Sequence, residues 1–91
     1  MTKPSAYDEA KGLVEDLKSK GVMGSKFFET VDDLLSVHET TVAMEILCDN
    51  INGESIQLDE ELYLRLQRIC SELRLDSHYM SGISLPPSLQ T

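Results

Sequence analysis

Four side chains in this sequence could ligate a soft metal ion or serve as nucleophile or base: His38, Cys48, Cys70 and His78. Sites built from such residues use close spacings, C-x-x-C, H-x-x-x-H or H-E-x-x-H, because these put two ligands on one turn or one helix face. None of these spacings occurs. Both cysteines have apolar neighbours and read as reduced core thiols. His38 ends an amphipathic stretch, where an imidazole can meet the last carbonyls of a helix. Catalytic patterns are equally missing: there is no glycine-rich phosphate loop, no G-x-S-x-G, and no Cys beside a His in sequence. No carboxylate sits in an apolar run that would raise its pKa for acid–base work. A core of this size also leaves little room for a ligand cavity. No metal, no cofactor and no enzymatic activity are expected.

The carboxylates carry the remaining chemical signal. Between Lys26 and Arg65 there is no Lys or Arg, yet ten acids fall there: Glu29, Asp32, Asp33, Glu39, Glu45, Asp49, Glu54, Asp59, Glu60 and Glu61. The flanks are close to balanced, with five lysines against four acids before it, and three arginines against two acids from Arg65 onward. The middle, at −10 against flanks of about +1 each, therefore accounts for the whole excess behind the net charge of −8. Asp59, Glu60 and Glu61 are explained by their place at the start of a helix. Glu29 shares a face with Asp32 and Asp33, and Glu45 with Asp49, although like charges at these spacings cost a helix a few tenths of a kcal/mol per pair. One reading is an ordinary solvated face. The other is a negative surface that steers a basic partner and speeds its arrival. On the second reading Asp32, Asp33, Glu45 and Asp49 contribute most, with Glu29, Glu39 and Glu54 assisting. Tyr63, Tyr79 and Met80 are candidate apolar anchors, with packing against the core as the alternative role.

The elements that position these residues are helical. Ser5 caps the first helix, Asp8 and Glu9 fill its first turn, and Ala6, Ala10, Leu13, Val14 and Leu17 recur at helical spacing up to Lys20, with Gly21 as the stop. Gly24-Ser25 opens the second, whose stripe is Phe27, Phe28, Val31, Leu34 and Leu35. The adjacent phenylalanines cannot both face the same core, so one is expected at a rim. Glu39 or Thr40 starts the third helix, which carries Val42, Ala43, Ile46, Leu47 and Ile51 and ends at Asn52-Gly53, with the glycine as its left-handed C′ residue. Asp59 caps the fourth, Leu58 can staple onto Tyr63, and Leu62, Leu66, Ile69, Cys70 and Leu73 form its buried stripe. Asp76 can cap one further turn through Tyr79 and Met80. Residues 84–91, with two adjacent prolines, are expected to be an extended or flexible tail. The fold expected is an all-α antiparallel bundle of four main helices plus a short C-terminal helical turn, one domain over residues 1–83.

Composition limits the classes further. At 91 residues, with 41% hydrophobic and 26% charged side chains, one ordered domain is the default. An acidic chain is poorly suited to phosphate contacts, so neither nucleic acid nor an anionic membrane surface is an expected partner. The first residues lead into a charged amphipathic segment and not an apolar one, so no secretory signal is expected and the compartment expected is cytoplasmic. Monomer and homodimer both stay open, since an exposed Phe28 or the tail would offer a dimer contact.

The run Val37-His38-Glu39, followed by Ala43-Met44-Glu45-Ile46-Leu47-Cys48-Asp49-Asn50-Ile51, resembles the xAxExLCDxL signature of MafI-type immunity proteins. These are small helical bacterial antidotes of polymorphic and contact-dependent nuclease toxins. The similarity continues through Ile56-Gln57-Leu58, Tyr63-Leu64-Arg65-Leu66, Leu73-Arg74-Leu75 and the closing Asp76-Ser77-His78-Tyr79-Met80. It spans roughly residues 34 to 83, with Thr40-Thr41 where the family pattern has a turn glycine and Met80 where an aromatic often follows the tyrosine. The resemblance implies an antidote that binds a cognate toxin, commonly an EndoU-type RNase, and supplies no toxin-contacting residues. The alternative is a non-catalytic helical adaptor or regulatory subunit that holds another basic protein.

Overall fold

The computed structural model describes residues 5–21 and 23–90; the Met1–Pro4 lead-in and the final residue of the tail lie outside them. Four long helices form where the stripes predict them: α1 Ala6–Lys20, α2 Ser25–Ser36, α3 Thr40–Gly53 and α4 Glu60–Glu72. A single turn, α5 His78–Ser81, follows, and no strand occurs among the described residues.

Two of the helix starts are fixed by side chains. Ser5 Oγ accepts the Asp8 N–H at 3.1 Å, and Asp59 Oδ1 accepts the Leu62 N–H at 2.8 Å. Each satisfies one of the four backbone donors that a helix start leaves unpaired. Asp76 does the same for α5, accepting the His78 N–H at 2.9 Å.

Helix ends follow a different rule. Gly21, with φ +65°, closes α1 as the sequence predicts. The others close on non-glycine residues in the left-handed region: His38 (φ +60°), Ser55 (φ +52°) and Arg74 (φ +59°). At each, two backbone bonds turn the chain: His38 N–H to Leu35 O and Glu39 N–H to Leu34 O, then Ser55 to Asn52 and Ile56 to Ile51, then Arg74 to Ser71 and Leu75 to Cys70. This is the Schellman closure, completed after α3 and α4 by Ile56 and Leu75 folding back on the core. Gly53 is not the left-handed residue expected for it; it is the last residue of α3, and Ser55 takes the turn.

α2 and α3 fold back on one another as a hairpin, and α4 returns antiparallel along α1. A ladder of ion pairs marks that second register: Lys20 with Asp59 at 2.7 Å, Arg65 with Asp16 at 2.5 Å and with Glu61 at 3.6 Å, and Arg68 with Glu9 at 3.3 Å. Surface pairs stabilise by about 0–1 kcal/mol each, and although the Glu9 side chain is largely covered, the main effect of the ladder is on alignment.

Between the two hairpins lies a core with no buried polar or charged side chain, built on Leu13, Leu17, Phe28, Met44, Leu47, Ile51, Leu66 and Ile69. Cys48 of α3 and Cys70 of α4 meet inside it as free thiols, their sulfurs 3.7 Å apart. Phe28 is 1% exposed, which removes it as a dimer contact, while Phe27 takes the rim position. Tyr63, a candidate anchor, is a core residue.

The tail is not extended throughout. Pro87–Leu89 form one 3-10 turn, Pro86 is buried, Leu89 packs against the core, and Gln57 Nε2 donates to Leu85 O at 3.4 Å. A proline at the first position of a turn loses nothing, because that N–H has no intrahelical acceptor.

A left-handed residue with a Cβ carries a steric cost that glycine avoids. Ser55→Gly and Arg74→Gly are each expected to stabilise the fold by about 0.5–1 kcal/mol, raising Tm by about 2–8 °C in thermal melts. Asp59→Ala should lower stability by about 1 kcal/mol through loss of its cap.

Candidate functional site

The candidate acids separate by whether a cation of the same chain answers them. On α1 and α4, Glu9, Asp16, Asp59 and Glu61 are held in the ion-pair ladder. The acids of those helices also include first-turn residues, Asp8, Glu9, Glu60 and Glu61, where the helix dipole favours negative charge. Neither α2 nor α3 has an acid in its first turn or a base in its last. Their carboxylates therefore serve no capping purpose.

Of the seven acids singled out by sequence, one is neutralised. Lys18 of α1 reaches Asp32 at 2.6 Å, so that pair adds little net charge to the face. Among the described residues, Glu29, Asp33, Glu39, Glu45, Asp49 and Glu54 make no ion pair. Glu29 and Asp33 lie one turn apart on α2, and both are exposed. Glu39 stands at the α2–α3 corner as the residue before α3, with no cap bond from its side chain. Two exposed valines flank it, Val37 at 65% and Val42 at 39%.

Along α3 the acids continue at Glu45 and Asp49, one turn apart. α5 packs against α3 here and brings Tyr79 into the group. Desolvation and the adjacent Glu45 carboxylate push the Tyr79 phenol up, with smaller contributions from Asp49 and Asp76. Asp76 moves the other way: the His78 N–H and the His78 ring, at 2.9 Å, hold its carboxyl below the usual range. Tyr79 and Met80 are half-buried and lean on the core, so neither projects freely as an anchor.

At the far end of α3 the ridge meets an open groove of about 720 Å³ between the start of α2 and the end of α3. Asp49 and Glu54 line it, facing Lys26, Phe27 and Thr30. Sequence reasoning did not find this groove, because it depends on how two helix ends meet; the rim position expected for one of the two adjacent phenylalanines was the one available signal.

The His38 ring stacks on Tyr7 of α1 with centroids 4.1 Å apart. No group of three or more His, Cys, Asp or Glu placed to hold a metal ion occurs among the described residues. No helix among them is long and apolar enough to cross a membrane. Compared with known proteins, the chain matches no family model, no curated protein and no solved structure.

The Tyr79 phenol gives a direct check on the Glu45 contact. Its folded-state pKa lies above the ordinary value of about 10, so the unfolded chain ionises first and stability falls as pH rises past that value. Glu45→Gln should move the Tyr79 transition down toward the ordinary value. The reading is phenolate absorbance, taken as the difference from Tyr79→Phe; an unchanged transition would refute the contact.

Proposed function

We propose that this protein is an immunity protein that binds and neutralises a basic nuclease toxin, in the manner of the antidotes its α3 segment resembles. The observation that carries the reading is the uneven compensation of charge. Among the described residues, cations of the chain answer Glu9, Asp16, Asp59 and Glu61 on α1 and α4, though not Asp8, Glu15 or Glu60, whereas of the seven acids along α2 and α3 only Asp32 is answered, and those acids lie where helix stability gives them no reason to be.

A nuclease holds its substrate's phosphates with Lys and Arg, so the surface that performs catalysis is the surface an acidic face attracts. Carboxylates held on two packed helices can meet such a groove without paying much ordering entropy. The long-range field raises the association rate, and the bare valines beside Glu39 supply the apolar contact that slows release. An EndoU-type RNase is the toxin class the resemblance suggests. Specificity among toxins would come from apolar anchors and from charges left unpaired against the wrong partner.

The test is rescue: the chain is co-expressed with candidate RNase toxin domains from its own genome, with growth and tRNA integrity followed. Survival with one toxin, together with a stable purified complex, is expected; death with every candidate would refute the reading and favour the adaptor. Within a rescued pair, reversing Asp33, Glu45 and Asp49 to Lys should slow association at least about tenfold and flatten its salt dependence. Reversing Asp32, already bound to Lys18, should do less.

A further inference from the structure

The groove at the α2–α3 end is open, about 720 Å³, within the size range of sites that take ligands of tens of atoms. It is large enough for one long side chain together with its flanking backbone. Three features of its lining define the chemistry. Asp49 and Glu54 supply two carboxylates with no cation of this chain bound to them. Phe27 supplies a half-buried aromatic wall. Gly24 and Gly53 leave bare backbone on either side, and a Cβ built on either meets nothing within 4 Å.

A planar cation with a flat apolar surface and a fork of donors matches this set. Lysine can also sit over a ring, as Lys11 does over Tyr7, but it is a compact point charge, whereas a planar guanidinium stacks flat on a ring while its fork of N–H groups reaches two carboxylates. Cation–aromatic contact adds about 0.5–2 kcal/mol to such an arrangement in known cases. Lys26, on the opposite wall, adds donors for a backbone carbonyl of the incoming segment.

We infer that this groove is an arginine-docking site: it takes an arginine side chain, with its flanking backbone, from the basic protein that the acidic face attracts. The inference rests on the reading of a basic partner and names the contact that anchors it. Attraction comes from acids spread over α2 and α3, while the groove recognises one residue type at one place.

The probe is a blocked tripeptide, acetyl-Gly-Arg-Gly-amide, with its lysine and citrulline counterparts, titrated into the full chain and followed by backbone-amide NMR. Expected are saturable shifts centred on Phe27, Asp49, Gly53 and Glu54, tighter for arginine than lysine and lost with citrulline. Gly53→Leu puts a side chain into open groove space at a helical position, where leucine is a better helix former than glycine. It should weaken the arginine peptide at least about tenfold while the melting temperature holds or rises. Asp49→Asn should also weaken it, whereas Asp33→Asn should leave it unchanged.

Arginine shifts spread evenly over Asp33, Glu39 and the groove would overturn the inference, as would full binding by a folded Gly53→Leu variant. These results separate from those of the rescue. If Gly53→Leu still neutralises the toxin while the charge reversal fails, the groove is wrong and the acidic face stands. If the wild-type chain rescues from nothing but binds arginine specifically, the groove stands and the antidote reading falls.

Discussion

Among the described residues no charged side chain is fully buried, and that condition governs the rest of the surface. The sixteen acids of the sequence outnumber its lysines and arginines two to one, and the acids all lie at the surface of a four-helix core. An ionised group costs several kcal/mol to bury unless it is paired, so the interior offers no way of hiding the excess. Where the cations settle then decides where negative charge is left over. The paired ones settle on α1 and α4: Lys20, Arg65 and Arg68 tie those helices together, Lys18 reaches across only as far as Asp32, and Lys26 at the start of α2 makes no ion pair among the described residues. The alignment of one hairpin and the exposed charge of the other are thus two results of a single allocation.

Helix starts were legible in the sequence because they depend on side-chain chemistry. Ser5, Asp59 and Asp76 each carry an oxygen that accepts a backbone N–H, and any reader of the sequence can see it. The apolar stripes were legible for a similar reason, since their period matches the helix and fixes which side chains go inside. Helix ends were not. Ser55 and Arg74 adopt left-handed φ without being glycine or asparagine, while Gly53, the obvious stop, stays helical. The preference of the backbone for two closing bonds, together with the pull of Ile56 and Leu75 toward the core, outweighed the local cost at the turn residue.

The acidic surface was legible only in part. Linear charge counting located the right segment, but it treated Asp32 and Asp33 alike. Helical geometry turns Asp32 toward α1 and Lys18, and leaves its neighbour to solvent. The groove was beyond reach for another reason: Met23, Phe27, Asp49 and Glu54 come from two helix ends separated by about twenty residues of chain. No periodicity within either helix encodes that meeting.

The three backbone-closed corners have a bearing on how such a chain can change over time. Schellman closure spends only peptide groups, so positions 38, 55 and 74 need no particular functional group, and sequence there can drift while the helices keep their lengths. One of these corners carries Val37, Glu39 and Val42, and another adjoins the rim residue Glu54. Surface lettering at those corners is therefore uncoupled from the scaffold beneath, which lets a lineage exchange exposed residues there in small steps without first rebuilding the fold.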